Sequence, residues 1–320
     1  MRVMHDLSEC KSSGDSHVVT IGAYDGVHTG HRSVIELTKQ RARRLAVESE
    51  IRTAVVTFEP HPAYVLRPDN APKLLTTLDH KLELLEGVGV DTVVVVPFDT
   101  DRAGESPEEF VQSVLVDCLR ARLVVVGHDF HFGAKRAGNV EVLTKLGLAR
   151  GFDVEGLSLL ARTDGPIEPV SSTAIRRALA GGNVATASTM LGRHHEVWGT
   201  VVHGDERGRQ IGFPTANIAV ESRFAVPADA VYAGWYVRPN GDRWPTAINV
   251  GKRPTFYQNA EHSVVEAHLI GFEGSLYEEP ARLEFVRLLR SELRFDGVEA
   301  LVTQLEIDVE RARRLLVENN

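Results

Sequence analysis

As far as Gly192, hydrophobic positions fall into two alternating rhythms. Val18–Ile21, Thr53–Phe58, Thr92–Phe98 and Leu123–Phe130 are apolar on nearly consecutive residues, as strands buried on both faces are. Between them run longer stretches with apolar residues at helical spacing. Arg32–Val47 turns Val34, Leu37 and Leu45 to one side, DHKLELLEGVGVD reads as helix and turn, and PEEFVQSVLVDCLRA opens on a proline and two acids, a favourable helix N-terminus. A further helix ends near Gly147 and a strand follows near Val154–Leu159. This alternation predicts a doubly wound parallel sheet, with ligands outside the carboxyl ends of its strands.

After Gly192 the rhythm changes. EVWGTVVHG, TANIAV, VYAGWYV, TAINVG, SVVEAHLI and ARLEFV are short, β-branched and separated by Gly, Pro, Asn and Asp. They predict an antiparallel barrel or sandwich. GVEALVTQLEIDVERARRLLV returns to helical spacing and reads as a closing amphipathic helix. The chain of 320 residues accommodates both parts. Residues 1–186 form the expected α/β domain and 187–320 the expected β domain, joined through the helical stretch SSTAIRRALAGGNVATASTMLGR.

Composition narrows the partners. A net charge of −8 disfavours general gripping of nucleic-acid phosphates, and the basic run KQRARR is read as a solvated helix face. No stretch approaches the roughly 18–20 apolar residues of a membrane span, and MRVMHDLSECKSSGD lacks the apolar region of a secretory signal. The expectation is a soluble, cytoplasmic, reduced protein without nucleic-acid or membrane partners; a homo-oligomer is left open. Two cysteines, Cys10 and Cys118, are too few for a disulfide framework or a zinc quartet, and Cys118, in an apolar helical pattern, is expected as a core thiol.

The first strand runs into GAYDGVHTGH, where Gly22, Gly26 and Gly30 crowd against His28 and His31. A strand that ends in glycines and enters a helix exposes backbone N–H groups at the positive end of a dipole, which attracts phosphate. If the helix begins at or before His28, both imidazoles share one face of its first turn and can donate to charge developing there. No P-loop and no G-x-G-x-x-G is present. The alternatives are a helix capped and packed by its histidines, or zinc held with His128 and His131; nucleotide binding is favoured over both.

G-x-[FY]-D-G-x-H-x-G-H resembles the signature of the HxGH nucleotidyltransferases. With TFEPHP (Thr57–Pro62), VVGHDFHFG (Val125–Gly133) and VSSTAIRRAL (Val170–Leu179), it is similar to the adenylyltransferase module of bacterial bifunctional riboflavin kinase/FAD synthetases. That resemblance implies a nucleotide site of Gly22, Tyr24, Asp25, Gly26, Gly30, Gly127, Asp129, Ser171, Ser172 and Thr173. It implies reaction-charge contacts from His28, His31 and Arg176, and flavin contact at His61. Ser-Ser-Thr before an apolar run is also an ordinary N-cap.

The second half resembles the kinase module of the same family through GDERGRQIGFPTANI (Gly204–Ile218), AINVGKRPTF (Ala247–Phe256), VVEAHLI (Val264–Ile270) and the tail from LLRSELRFDG onward. Thr215 and Asn217, two apart on an extended segment, are oxygen donors suited to Mg²⁺. The resemblance implies ATP contacts from Gly204, Gly208, Arg209 and Gly212, a general base at Glu266, flavin contacts from Arg290, Glu292 and Phe295, and a six-stranded antiparallel barrel. The implied chemistry is phosphorylation of riboflavin to FMN by ATP, then adenylylation of FMN to FAD with release of pyrophosphate, both with Mg²⁺. Three departures stand out: Tyr24 for a commoner phenylalanine, His131 for a frequent arginine, and SLYEE (Ser275–Glu279) where the family usually reads D-L-Y-G.

Overall fold

The computed structural model describes residues 1–12, 14–46, 50–157, 170–204, 207–251 and 264–317. Val47, Ser158 and Leu159 of the expected helix and strand, residues 205–206 of the Gly204 loop and 252–256 of AINVGKRPTF lie outside them. The chain divides into two compact units: Met1–Pro72 with Leu78–Val170, and Lys73–Thr77 with Ser171–Asn320.

The first unit is a wholly parallel sheet of β1 (Arg2–Met4), β2 (Ser16–Ile21), β3 (Ile51–Glu59), β4 (Thr92–Pro97), β5 (Ala121–Gly127) and β6 (Asp153–Leu157), in the order β1-β4-β3-β2-β5-β6. Its helices are α1 (Thr29–Leu45), α2 (Pro62–Leu66), α3 (Leu78–Gly87), α4 (Thr100–Gly104), α5 (Pro107–Phe110), continued by π-helical turns Val111–Cys118, and α6 (Val140–Arg150). Successive strand residues point to opposite faces. Val19, Ile21, Ala54, Val56, Val94, Val96, Val124 and Val126 therefore pack with Phe110, Val114, Leu115 and Leu143 on one side. On the other side Val55, Val93 and Val95 pack with Ile35 and Leu85. The chain proceeds from β2 to β3 and β4 on one side, then returns to place β5 and β6 on the other. The strand order thus reverses between β2 and β5, where doubly wound sheets bind ligands.

One expectation is overturned. Cys10, in the 3-10 turn Leu7–Ser12, and Cys118 are joined as a disulfide across 108 residues, so Cys118 is not a free core thiol and the expected reduced state does not hold for this pair. The turn packs on the helix ending at Cys118, a proximity that two lone cysteines far apart in sequence could not announce.

In the second unit a closed barrel is formed by β7 (His195–Val202), β8 (Ala216–Ala219), β9 (Ala230–Val237), β10 (Arg243–Gly251), β11 (Val264–Leu269) and β12 (Pro280–Ser291), ordered β10-β11-β8-β7-β12-β9 with every pairing antiparallel. Alternate residues, among them Ile218, Tyr232, Tyr236, Ile248, Val250, Val265, Ala267 and Phe285, fill its interior. Ile175 and Leu179 of α7 (Ser172–Ala180) and Val184 and Leu191 of α8 (Val184–Leu191) join that same core. After the short α9 (Arg207–Gln210), the closing helix α10 (Val298–Val317) lays Ala312 and Leu316 over Val231, Ala233 and Leu289 on the outer wall.

Candidate active sites on the two units

Gly22 continues β2, its N–H donating to Val56 O at 3.0 Å, and the chain then turns sharply. Tyr24 (φ 49°), Gly26 (φ 84°) and Val27 (φ 37°) all take left-handed backbone. For β-branched Val27 this stores on the order of 1–3 kcal/mol of strain, of a kind found at ligand-binding loops. The Tyr24 ring is buried with its hydroxyl 2.7 Å from Thr20 Oγ1. Helix α1 begins at Thr29, three residues before the periodicity indicates, because His28 supplies the N-cap: its Nδ1 accepts from the His31 N–H at 3.2 Å. The two imidazoles stack with centroids 3.6 Å apart and planes 14° off parallel, and Tyr24 flanks His31 at 4.9 Å.

The His28 Nδ1, as an acceptor, carries no proton in this arrangement. Burial, then His28, then Lys81 hold His31 well below the usual histidine range, so the His31 ring is neutral. Its Nδ1 is shut from solvent with no hydrogen-bond partner among the described residues, a polar atom that a ligand can satisfy.

At the end of β5, the other side of the strand reversal, the Phe130 N–H donates to Gly127 O and the chain bends away. A Cβ on Gly127 would stand 3.0 Å from Asp129 Oδ1, so the glycine makes room for that carboxylate. His61 caps α2 through Nδ1, accepting from the Ala63 N–H at 3.1 Å. Where the family has arginine, His131 Nδ1 lies 3.0 Å from the guanidinium of Arg136, which brings a cation to the same loop.

Ser171, Ser172, Thr173 and Arg176 open α7 of the second unit. Ser171 is its N-cap, its hydroxyl accepting from the Ala174 N–H at 3.2 Å, and Arg176 Nε donates to Lys73 O at 2.5 Å.

On the barrel, residues paired across neighbouring strands bring the kinase candidates together. Glu266 of β11 faces Asn217 of β8 on one side and Asn249 of β10 on the other, all three on the face turned away from the barrel core. Asn217 is buried beneath the loop from Gly204, where a Cβ on Gly204 would collide with its amide. Gly208 comes equally close to the Phe213 carbonyl and would stand 3.6 Å from Thr215 Oγ1 if it bore a Cβ. Gly204 and Gly208 therefore lie against Asn217 and near Thr215 respectively. Gly251 likewise leaves room for Glu292, a candidate flavin contact: a Cβ there would strike the Glu292 carboxylate and stand 3.7 Å from Asn249 Nδ2.

Arg290 is held from behind. Its Nε lies 2.9 Å and a terminal nitrogen 2.7 Å from Asp308 Oδ2, and its guanidinium stands 5.8 Å from the Phe295 ring centroid. The SLYEE departure has a local explanation as well. Glu278 takes φ 65° at the position of the family's glycine, and Glu279 forms a 2.7 Å ion pair with Arg238.

Three residues at these sites escaped the sequence reading. Asn249 and Asp308 depend on strand register and helix docking, which no local pattern reveals. Lys81 left a signal: it shares the helical stripe of Leu78 and Leu85, where a charge is out of place.

Comparison with known proteins agrees with both halves. Residues 10–174 match the FAD synthetase family model and 191–316 the riboflavin kinase family model. The chain is 38% identical over 315 residues to the bifunctional riboflavin kinase/FMN adenylyltransferase of Pseudomonas fluorescens, covering 98% of each chain. It is 37% identical over 310 residues to that of Listeria monocytogenes, covering 97% of this chain and 95% of the other. A crystal structure described as a macrolide-efflux protein from Streptococcus pneumoniae superposes with a TM-score of 0.84 at 28% identity, over 97% of this chain and 98% of that one.

Proposed function

The chain belongs to the family of bifunctional riboflavin kinase/FMN adenylyltransferases, and on that premise we propose how its residues divide the two reactions. It is a flavin-cofactor synthase: riboflavin is phosphorylated by ATP to FMN, and FMN is adenylylated by a second ATP to FAD. Adenylyl transfer is assigned to residues 1–186 and phosphorylation to 187–320. This functional boundary falls after Ser171–Arg176, although the second compact unit begins at Ser171.

In the kinase reaction Glu266 is the general base. It accepts the proton of the riboflavin 5′-hydroxyl as that oxygen bonds to the γ-phosphorus, and the bond to the β-γ bridging oxygen breaks to release ADP. Asn217 and Asn249 pair with it across the neighbouring strands. Thr215 Oγ1 and Asn217 Oδ1 are hard oxygen donors beneath the phosphate loop, a donor set that fits Mg²⁺, which also takes waters and phosphate oxygens. When bound there, the cation neutralises phosphate charge. Gly204, Gly208, Arg209 and Gly212 bind ATP, while Arg290, Glu292 and Phe295 bind the flavin.

Adenylyl transfer needs no base, because the nucleophile is the FMN phosphate, already anionic. The residues must align it with the α-phosphorus and stabilise charge as pyrophosphate leaves. His28 does so through its Nε2–H, His31 as a neutral ring, and Arg176 as a cation. Gly22, Tyr24, Asp25, Gly26, Gly30, Gly127, Asp129, Ser171, Ser172 and Thr173 form the nucleotide site, His61 contacts flavin, and Mg²⁺ is required here too. The observation that carries this reading is the stacked histidine pair on the glycine loop at the strand reversal. The enzyme is taken to work in the cytoplasm without nucleic-acid or membrane partners; among the described residues no helix is long and apolar enough to cross a membrane.

The test is a time course with riboflavin, ATP and Mg²⁺, separated by chromatography. FMN first and FAD after it is the expected order; FMN alone would refute the assignment of the first unit.

A further inference from the structure

Helix α3 buries three side chains, His80, Lys81 and Leu85, and Lys81 is only 4% exposed. An ammonium in such a place is costly to desolvate, and a methionine would fill the same volume without that cost. Its surroundings lead to the glycine loop. Lys81 Nζ donates to Thr57 Oγ1 at 3.3 Å, and the Thr57 hydroxyl donates in turn to Ala23 O at 3.0 Å, within the loop that carries the histidines. Asp25 and Glu59 act on the ammonium and favour its charged form, though desolvation outweighs them. Lys81 also opposes protonation of His31, so the two groups feel each other directly.

His31, held neutral by burial, adds no net positive charge beside the phosphates. We propose that Lys81 supplies that charge, as a further catalytic cation of adenylyl transfer that holds the pyrophosphate as it leaves. The inference rests on the first unit being the adenylyl-transfer site. An FMN phosphate oxygen bonds to the α-phosphorus of ATP, the bond from that phosphorus to the α-β bridging oxygen breaks, and its electron pair departs on pyrophosphate. Lys81 keeps its protons throughout. Loss of one such preorganised charge contact costs about 100- to 1000-fold in rate.

The test uses the full chain carrying Lys81→Met, assayed for FAD formation from FMN, ATP and Mg²⁺, with FMN formation from riboflavin as internal control. A fall of at least tenfold in the kcat of FAD formation, with the kinase rate and thermal melt unchanged, is expected; a smaller fall overturns the proposal. A purely structural lysine would shift the melt instead. A second measurement needs no variant: in the ¹⁵N-lysine-labelled wild-type protein, inorganic pyrophosphate with Mg²⁺ must shift the slowly exchanging ammonium resonance of the buried lysine. An unmoved resonance overturns the proposal even where Lys81→Met fails to fold. If the wild-type chain makes FMN but no FAD, the adenylyl-transfer reading itself falls, and Lys81 with it. If it makes FAD and Lys81→Met does so equally well, only Lys81 is lost.

Discussion

Asp308→Ala cuts the tie between the closing helix and the barrel wall. Asp308 is 1% exposed and Arg290 keeps 15% of its side chain exposed, with nitrogen–oxygen separations of 2.7–3.1 Å between them. Gln304 Nε2 adds a third donor to the carboxylate at 2.9 Å. Removing one member of a buried pair costs about 3–5 kcal/mol, because the survivor is left charged and poorly solvated. Arg290 can recover some water through its exposed edge and keeps its bond to Ser291 O, which places the loss near the lower end, about 3 kcal/mol. For a unit of this size each kcal/mol lowers the melting temperature by about 2–4 °C, so the barrel should melt about 6–12 °C lower. The assay is favourable, since all three tryptophans, Trp198, Trp235 and Trp244, lie in the second unit and their fluorescence follows its unfolding alone. Arg290 would also lose its orientation beside Phe295, so the KM for riboflavin should rise while FAD formation from supplied FMN stays at the wild-type rate. A melt within about 2 °C of wild type would refute this account of the pair.

Gly204→Ala forces its new methyl into the Asn217 amide, and should lower the kinase rate about tenfold or more with a raised Mg²⁺ requirement; an unchanged Mg²⁺ titration would refute the loop–Asn217 contact. His31 and His17 both have folded pKa values depressed chiefly by burial, so below about pH 6.5 the unfolded chain takes up protons that the folded unit refuses. Stability from these groups is complete above that pH and declines as pH falls toward the folded values. Urea unfolding of the first unit should therefore show a lower midpoint at pH 5.5 than at 7, with a smaller drop in His31→Asn; equal drops would remove His31 from the effect. Reducing Cys10–Cys118 opens a loop of 108 residues, worth about 5 kcal/mol on chain-entropy grounds, and an unchanged melt in dithiothreitol would refute a contribution of that size.

The buried strands were legible because parallel sheets covered on both faces need near-continuous apolar runs: Val18–Ile21 and Thr53–Phe58 each lie in such a strand, and Thr92–Phe98 overruns its strand by one residue. Boundaries were less legible where a side chain or turn decides them. The His28 cap moves the start of α1 to Thr29, and the turn after Gly127 ends β5 before Phe130. Three-residue β1 is too short for any periodicity, and only its pairing with β4 makes it a strand. At the sites, glycine-rich and histidine-bearing loops were visible because they break the apolar rhythm. Asn249, Asp308 and the Cys10–Cys118 bond were not, since each arises from register or docking between distant segments.

The central claim is that two separate sites act in series on one chain. It is tested most directly with two variants, His28→Ala/His31→Ala and Glu266→Gln, each given riboflavin, ATP and Mg²⁺ alone and then mixed. The first should accumulate FMN without FAD, the second should make FAD only from supplied FMN, and the mixture should restore FAD from riboflavin. Loss of both activities in either variant, or a mixture that stays inactive, would contradict it.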